Sequence, residues 1–291
     1  MEYSTIDELI ELALNNDLNI SEVVIRSEME ESEKSRKDIF SKMKRNFEVM
    51  KEAVEEGKNS EEKSPSGLSG GDASRLQQFD DFLGNNIYRK VMIYAVAISE
   101  VNAAMGKIVA GPTAGSSGIV PAVLLAVGEE IDATDDEIIK ALFTASGLGM
   151  VVSKKATLAG AAGGCQAECG VGSAMAAGAA VELLGGDPRQ VGDAFALALK
   201  NLLGLVCDPV AGLVEVPCVK RNGFTASHAL TAVNMALAGV GSVIPPDEVV
   251  EAMTQIGNLL PGSLKETAMG GLAATETGRR IAKELEEKDN N

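Results

Sequence analysis

The run from Cys169 to Val181 reads Cys-Gly-Val-Gly-Ser-Ala-Met-Ala-Ala-Gly-Ala-Ala-Val and carries no charge at any position. Wound as a helix it has no face suited to water, so the rest of the chain must enclose it on all sides. Its glycines and alanines let neighbouring backbones come close. Other helices must surround such an element, and the remaining sequence supplies them. Strand-like alternation is scarce, aromatic residues make up 3% of the chain and tryptophan is absent. Helix punctuation recurs instead. Thr5-x-x-Glu8, Thr134-x-x-Glu137 and Ser263-x-x-Glu266 read as capping boxes, in which side chains satisfy the free N–H groups of a helix start. Asp187-Pro188 places a cap before a first-turn proline, just after Gly185-Gly186 stops the preceding helix.

The expectation is therefore an all-α chain, a single large helical domain over residues 1–291. At the usual length of ~10–14 residues it holds roughly ten helices, with Ala/Gly-rich buried ones at its centre. Residues 1–57 form a charged N-terminal helical segment. Within it, Ile39, Met43, Phe47, Met50 and Val54 recur at helical spacing between Ser21 and about Glu56, as a packing stripe on one amphipathic helix or a broken pair. Gly57 ends this segment, residues 58–71 are a polar Gly/Ser/Pro-rich loop, 72–285 the helical core and 286–291 a tail.

A net charge of −16 argues against nucleic acid or an anionic membrane as partner, since both demand a basic patch. Apolar runs such as Val91–Ile98 and Ile119–Val127 fall far short of the ~20 residues of a membrane span. Met1-Glu2-Tyr3-Ser4 lacks the basic and apolar regions of a secretory leader, so a cytoplasmic location is expected. Cysteines stay reduced there, which leaves metal binding, catalysis or packing as their roles.

Cys165 follows Gly163-Gly164, Cys169 lies close by, and Cys207 and Cys218 bracket Asp208-Pro-Val-Ala-Gly-Leu-Val-Glu-Val-Pro217. Structural zinc favours two short cysteine pairs, and only Cys165 with Cys169 has such a separation. On spacing alone, packing explains the cysteines as well as a metal does. Their setting favours ligation: one sits at a Gly-Gly helix start, and two end a loop whose prolines hold it extended and non-helical.

Ala110-Gly-Pro-Thr113-Ala114-Gly115-Ser116-Ser117-Gly118 leads into the apolar helix from Ile119 to Val127. Its glycines can aim N–H groups at one point beside a helix start, which suits a carboxylate or phosphate, although an ordinary loop has the same composition. It lacks the Lys-Ser/Thr ending of a nucleotide-binding P-loop. Ser66-Gly-Leu-Ser-Gly-Gly-Asp72 is a similar, equally ambiguous stretch. His228 is the only histidine, which excludes a multi-histidine metal site; a packed or surface helix position is the plain reading of it.

Gly164-Cys165-Gln166-Ala167-Glu168, the whole stretch from Cys207 to Cys218, and Lys220-Arg221-Asn222 resemble the signature of the iron–sulfur L-serine dehydratases. The resemblance extends to Glu100-Val-Asn102, Pro112-Thr113-Ala114-Gly115, Glu266-Thr267 and Gly270-Gly271-Leu272-Ala273. It matches the helical α part of that family, as in the alpha subunit of its two-subunit form. It implies a lyase that dehydrates and deaminates L-serine to pyruvate and ammonia on a [4Fe–4S] cluster, without PLP, with a beta subunit as partner. The implied cluster ligands are Cys165, Cys207 and Cys218, with the fourth iron left for substrate. No ligand role passes to Cys169, where many members have another residue. Thr113, Ala114, Gly115, Ser116 and Ser117 are the candidate substrate-side loop, and no general base is assigned. Lys155-Ala-Thr-Leu-Ala159 departs from the Asn/Ser-rich run of single-chain members, which bears on the substrate pocket. Competing readings are an iron–sulfur lyase acting on another small amino acid, such as a cysteine desulfidase, a redox or iron-sensing protein whose cluster has four protein ligands, and a non-catalytic helical scaffold.

Overall fold

In the computed structural model, which describes residues 1–80 and 82–289, the chain-order elements are α1 (Ile6–Asn15), α2 (Ile20–Ser32), α3 (Arg36–Gly57), α4 (Asp72–Gln78), α5 (Asn86–Ala103), α6 (Ile119–Glu130) and α7 (Asp135–Lys155). They continue as α8 (Gly160–Gly163), α9 (Val171–Leu183), α10 (Pro188–Lys200), α11 (Cys218–Leu237), α12 (Pro246–Leu259) and α13 (Glu276–Asp289). Among the described residues there is no strand, only an isolated bridge between Cys207 and Lys265. The all-α expectation holds. The helices outnumber the expected ten because α4 and α8 are short, with 7 and 4 residues, and because the segment after Ser21 is a broken pair. Glu33, in the left-handed region at φ 54°, stops α2, and Ser35 caps α3 by accepting from the Asp38 N–H. Residues 290 and 291 of the expected tail lie outside the described residues.

Helix α9 packs against α6, α7, α10 and α11, and every residue from Val171 to Val181 is buried. Small side chains make this possible. A Cβ on Gly178 would lie 2.6 Å from Leu148 Cδ1 of α7 and 3.3 Å from Val191 Cγ1 of α10, so a larger residue would push the helices apart. Around this centre, α5 lies on α3, α4, α6 and α11, α2 lies on α7, and α1 lies on α10 and α12.

The capping boxes at Thr5 and Thr134 form as read, and the cap expected at Asp187 forms and is completed to a box by Gln190. The box at Ser263 does not form. Glu266 takes a left-handed φ of 61°, and its N–H donates to Cys207 O at 2.7 Å, so this segment is bound to the Cys207 strand-like stretch instead of opening a helix. Three helix starts, that of α1 again among them, are capped from far along the chain. Asp247 accepts the Ile6 and Asp7 N–H groups of α1, Glu182 accepts the Ser21 N–H of α2, and Glu100 accepts the Asp72 and Ala73 N–H groups of α4. Among the described residues no helix is long and apolar enough to cross a membrane.

Candidate functional site

The chain enters α9 through a π-helical turn, Gln166–Gly170, and several distant segments meet this turn. The loop turn Ala114–Ser116, α8, α11 and α12 all pack on it. Cys165 stands immediately before the turn and is buried. Gly164, at φ 79°, allows the approach: a Cβ there would lie 2.8 Å from Leu205 O. Gln166 then fastens the segment. Its amide Nε2 donates to Gly163 O at 2.9 Å and Met253 O at 3.1 Å, its Oε1 accepts from the Gly204 N–H at 2.9 Å, and its own N–H donates to Leu205 O at 3.0 Å.

Cys207 is held on both sides by the segment after α12: its N–H donates to Leu264 O at 3.0 Å and its carbonyl accepts from Glu266. The loop between Cys207 and Cys218 is not extended throughout, as its prolines suggested; Val210–Gly212 closes a 3-10 turn with Ala211 at φ 56°. Cys218 opens α11. Gly160 of α8 faces the thiol of Cys207 and the carboxylate of Glu168: a Cβ on it would lie 2.9 Å from Cys207 Sγ and 2.5 Å from Glu168 Oε2.

The thiols lie close enough to perturb one another. The neighbouring Cys169 thiol holds Cys165 below the ordinary thiol range, against burial and with help from Arg221. Cys169 itself, fully buried beside Cys165, is pushed well above that range. Burial and then the charge of Cys165 push Cys207 far up and Cys218 up to about 12. Glu168 is raised, chiefly by burial, although the Thr113 hydroxyl donates to its Oε1 at 2.8 Å. Burial works against the charge of Arg221, but Cys165 and Asp208 outweigh it and keep the guanidinium firmly protonated. Among the described residues no group of three or more His, Cys, Asp or Glu side chains is arranged to hold a single metal ion.

The candidate substrate loop is fastened to the same place. Besides the Thr113–Glu168 bond, Asn222 of α11 donates to Gly115 O at 2.7 Å and accepts from the Gly118 N–H at 3.1 Å. Thr113 and Gly115 are half-buried and Ala114 is exposed. Ser116 is engaged in the loop's own turn with Thr113, whereas the buried Ser117 Oγ has no hydrogen-bond partner. The other glycine-rich stretch is satisfied from within: Glu100 accepts the Gly70 N–H at 3.1 Å, and Glu215 accepts the Ser64 and Ser66 hydroxyls at 2.6 and 2.8 Å. His228 pairs with Ala198 O at 3.0 Å across α10 and α11, as a packed helix residue does.

Sequence reasoning quoted Gln166, Glu168, Asp208, Arg221 and Asn222 but assigned them no contacts. Their shared signal is polarity in sequence that is otherwise small and apolar. Their partners lie too far along the chain for spacing to reveal them.

A helical protein with four cysteines, three of them buried, near the head of its central helix is the class that fold and geometry define. Residues 15–273 match the family of the serine dehydratase alpha chain, and the chain belongs to it. It is 51% identical to a probable L-serine dehydratase alpha chain of Bacillus subtilis, over 97% of this chain and 95% of that one. It is 41% identical to the L-serine dehydratase alpha chain of Peptoniphilus asaccharolyticus, over 97% and 98%. An L-serine dehydratase of Streptomyces coelicolor is 37% identical over 93% of this chain, which spans only 60% of that protein.

Proposed function

We propose that this chain is the alpha subunit of an iron–sulfur L-serine dehydratase, a cytoplasmic lyase that works with a beta chain to convert L-serine to pyruvate and ammonia. The observation that supports this reading most is the nearness of Cys165, Cys207 and Cys218 at the head of α9, where Gly160 packs directly on the Cys207 thiol. The residues fit such a cofactor: the donors are thiols, the positive Arg221 lies beside them, and a glycine stands where any Cβ would crowd Cys207. Cys165, Cys207 and Cys218 would hold the [4Fe–4S] cluster. When bound with one iron free of protein, the cluster supplies Lewis acidity toward the substrate's hydroxyl or carboxylate oxygen.

The chain's own residues do the positioning. Asn222 and Glu168 hold the 113–118 loop against the 166–170 turn and α11, with Thr113 and Gly115 half-buried, so a small amino acid meets backbone and hydroxyl groups already fixed in place. Loss of the Cα proton and of the β-hydroxyl as water leaves aminoacrylate, whose imine tautomer takes up water to give pyruvate and ammonia. A beta partner is supported by coverage: the chain spans nearly all of two alpha chains but 60% of the Streptomyces protein.

The test is anaerobic reconstitution with iron and sulfide, with and without a beta chain, followed by assay of pyruvate from serine and sulfide from cysteine. Serine turnover that needs the beta chain, is lost in Cys165→Ser, Cys207→Ser and Cys218→Ser, and survives in Cys169→Ser is the expected result. Sulfide from cysteine with no pyruvate from serine would assign the chain to another lyase. Loss of iron in Cys169→Ser equal to the others would make the site four-ligand and non-catalytic.

A further inference from the structure

We propose that Arg221 is the positioning residue of the thiol site, a single guanidinium that ties the Cys207 segment to the helix opened by Cys218 and places its positive charge beside Cys165. The inference rests on the iron–sulfur reading of those thiols. Arg221 stands in the first turn of α11, the helix that Cys218 opens. Its Nη1 donates to Val206 O at 2.9 Å and its Nη2 to Asp208 Oδ1 at 2.8 Å, so it holds the residue on each side of Cys207. Its charge also lies beside the thiol of Cys165. One side chain of the Cys218 helix thus grips the Cys207 segment and faces the third thiol.

Asp208 carries the connection further. Its Oδ2 accepts from the Leu272 N–H at 2.8 Å, and Gly271 packs so tightly on it that a Cβ there would collide with the carboxylate. The pair therefore also fixes the glycine-rich 270–273 segment over the Cys207 loop. An arginine suits this position, because two acceptors held at once, one a backbone carbonyl and one a carboxylate, match a rigid, planar fork of donors. Lysine brings the charge on a single flexible point. The side chains of Arg221 and Asp208 are 17% and 5% exposed, so each is shielded enough that losing its partner leaves an uncompensated charge.

The experiment compares the full-length wild-type chain with Arg221→Lys and Arg221→Met after anaerobic reconstitution with iron and sulfide. It reads iron loss to a ferrous chelator and the cluster's midpoint potential, and it reads amide hydrogen exchange over 206–208 and 270–273 in the metal-free chain. Arg221→Met is expected to lose iron roughly tenfold faster or more, as disturbed outer-shell partners of metal ligands do. It should also shift to a lower potential, since a nearby positive charge favours the reduced form. Arg221→Lys should keep a potential near wild type yet release iron almost as fast as Arg221→Met, and both should exchange faster over the two segments. An Arg221→Met protein with wild-type iron retention and potential overturns the proposal. If Arg221→Met does not fold, wild-type iron retention and exchange in Arg221→Lys overturn it. If the wild type binds no iron and sulfide, the iron–sulfur reading itself fails; exchange in the metal-free chain then decides whether Arg221 ties the segments, and unchanged exchange overturns that.

Discussion

Helix α9 is buried all round from Val171 to Val181 and the segments at its head are buried for the most part, yet the first is closed by alanine, glycine and valine and the second by thiols, carboxylates, an arginine and a glutamine. Along α9 from Val171 to Val181 the burial is shape filling, and its energy is spread over many weak contacts. At the head, the polar groups mostly have named partners: Gln166 has four, Asp208 two, Glu168 the Thr113 hydroxyl. The backbone differs in step. It is regular in α9, while around the thiols it passes through a π turn, a 3-10 turn and left-handed residues such as Ala211 and Glu266. Irregular backbone of this kind gathers where function requires it. The lesson is that one buried volume can serve as framework and its neighbour as site, and that they should fail in different ways.

The largest test of that difference sets Phe195→Ala against Cys207→Ala. Phe195 on α10 is fully buried where α10 packs on α9, and its truncation should cost about 3–5 kcal/mol in denaturant unfolding. Iron bound per folded molecule should not change. Cys207→Ala should cost the metal-free chain about 1 kcal/mol at most and abolish cluster binding. A Phe195→Ala protein that stays folded but cannot be loaded with iron would break the separation, as would a Cys207→Ala chain that unfolds.

A smaller pair makes the same comparison with one methyl group. A Cβ on Gly57 of α3 would collide with the Ala97 backbone carbonyl of α5, and no flexible side chain is there to yield. Gly57→Ala should destabilise by about 1–3 kcal/mol, read as a lower unfolding midpoint. Gly160→Ala should lose most of its iron while its unfolding midpoint moves less than that of Gly57→Ala, because its Cβ would crowd Cys207 Sγ and Glu168 Oε2. Equal iron content in Gly160→Ala and wild type would remove Gly160 from the site.

The framework was far more legible in the sequence than the candidate site. Helix α9, the caps at Thr5, Thr134 and Asp187 and the stop at Gly57 are local devices, written within a few residues of where they act. The false box at Ser263 marks the limit: its local pattern is sound, but Glu266 is claimed by Cys207, far away in the chain. The cysteines could be singled out by their glycine and proline surroundings and by family resemblance. That Arg221 grips both flanks of Cys207, that Asn222 clamps the 113–118 loop and that Glu100 fills the 66–72 stretch are long-range facts without periodicity.

The finest test lies at the other end of α9, where the framework contains one feature that resembles the site. Glu182 is a largely buried carboxylate that accepts the Ser21 N–H at 3.2 Å and the Thr144 hydroxyl at 2.8 Å. Those bonds favour its charge, but burial outweighs them and its pKa is raised. A carboxyl whose folded pKa lies above its unfolded value, about 4.3, contributes stability that is fully present below that value. That contribution is lost as pH rises through the folded pKa. At pH 7 the charged group is therefore a burden on the fold. Glu182→Gln, which keeps one acceptor for the α2 start and removes the charge, should be more stable than wild type at pH 7 by on the order of 1 kcal/mol. The advantage should shrink as pH falls through 4 and below, where the wild-type carboxyl becomes protonated in both states. Paired denaturant titrations at the two pH values measure it. A Glu182→Gln chain that is less stable than wild type at pH 7 would mean that the charged cap outweighs burial. Framework and site would then rest on the same kind of interaction after all.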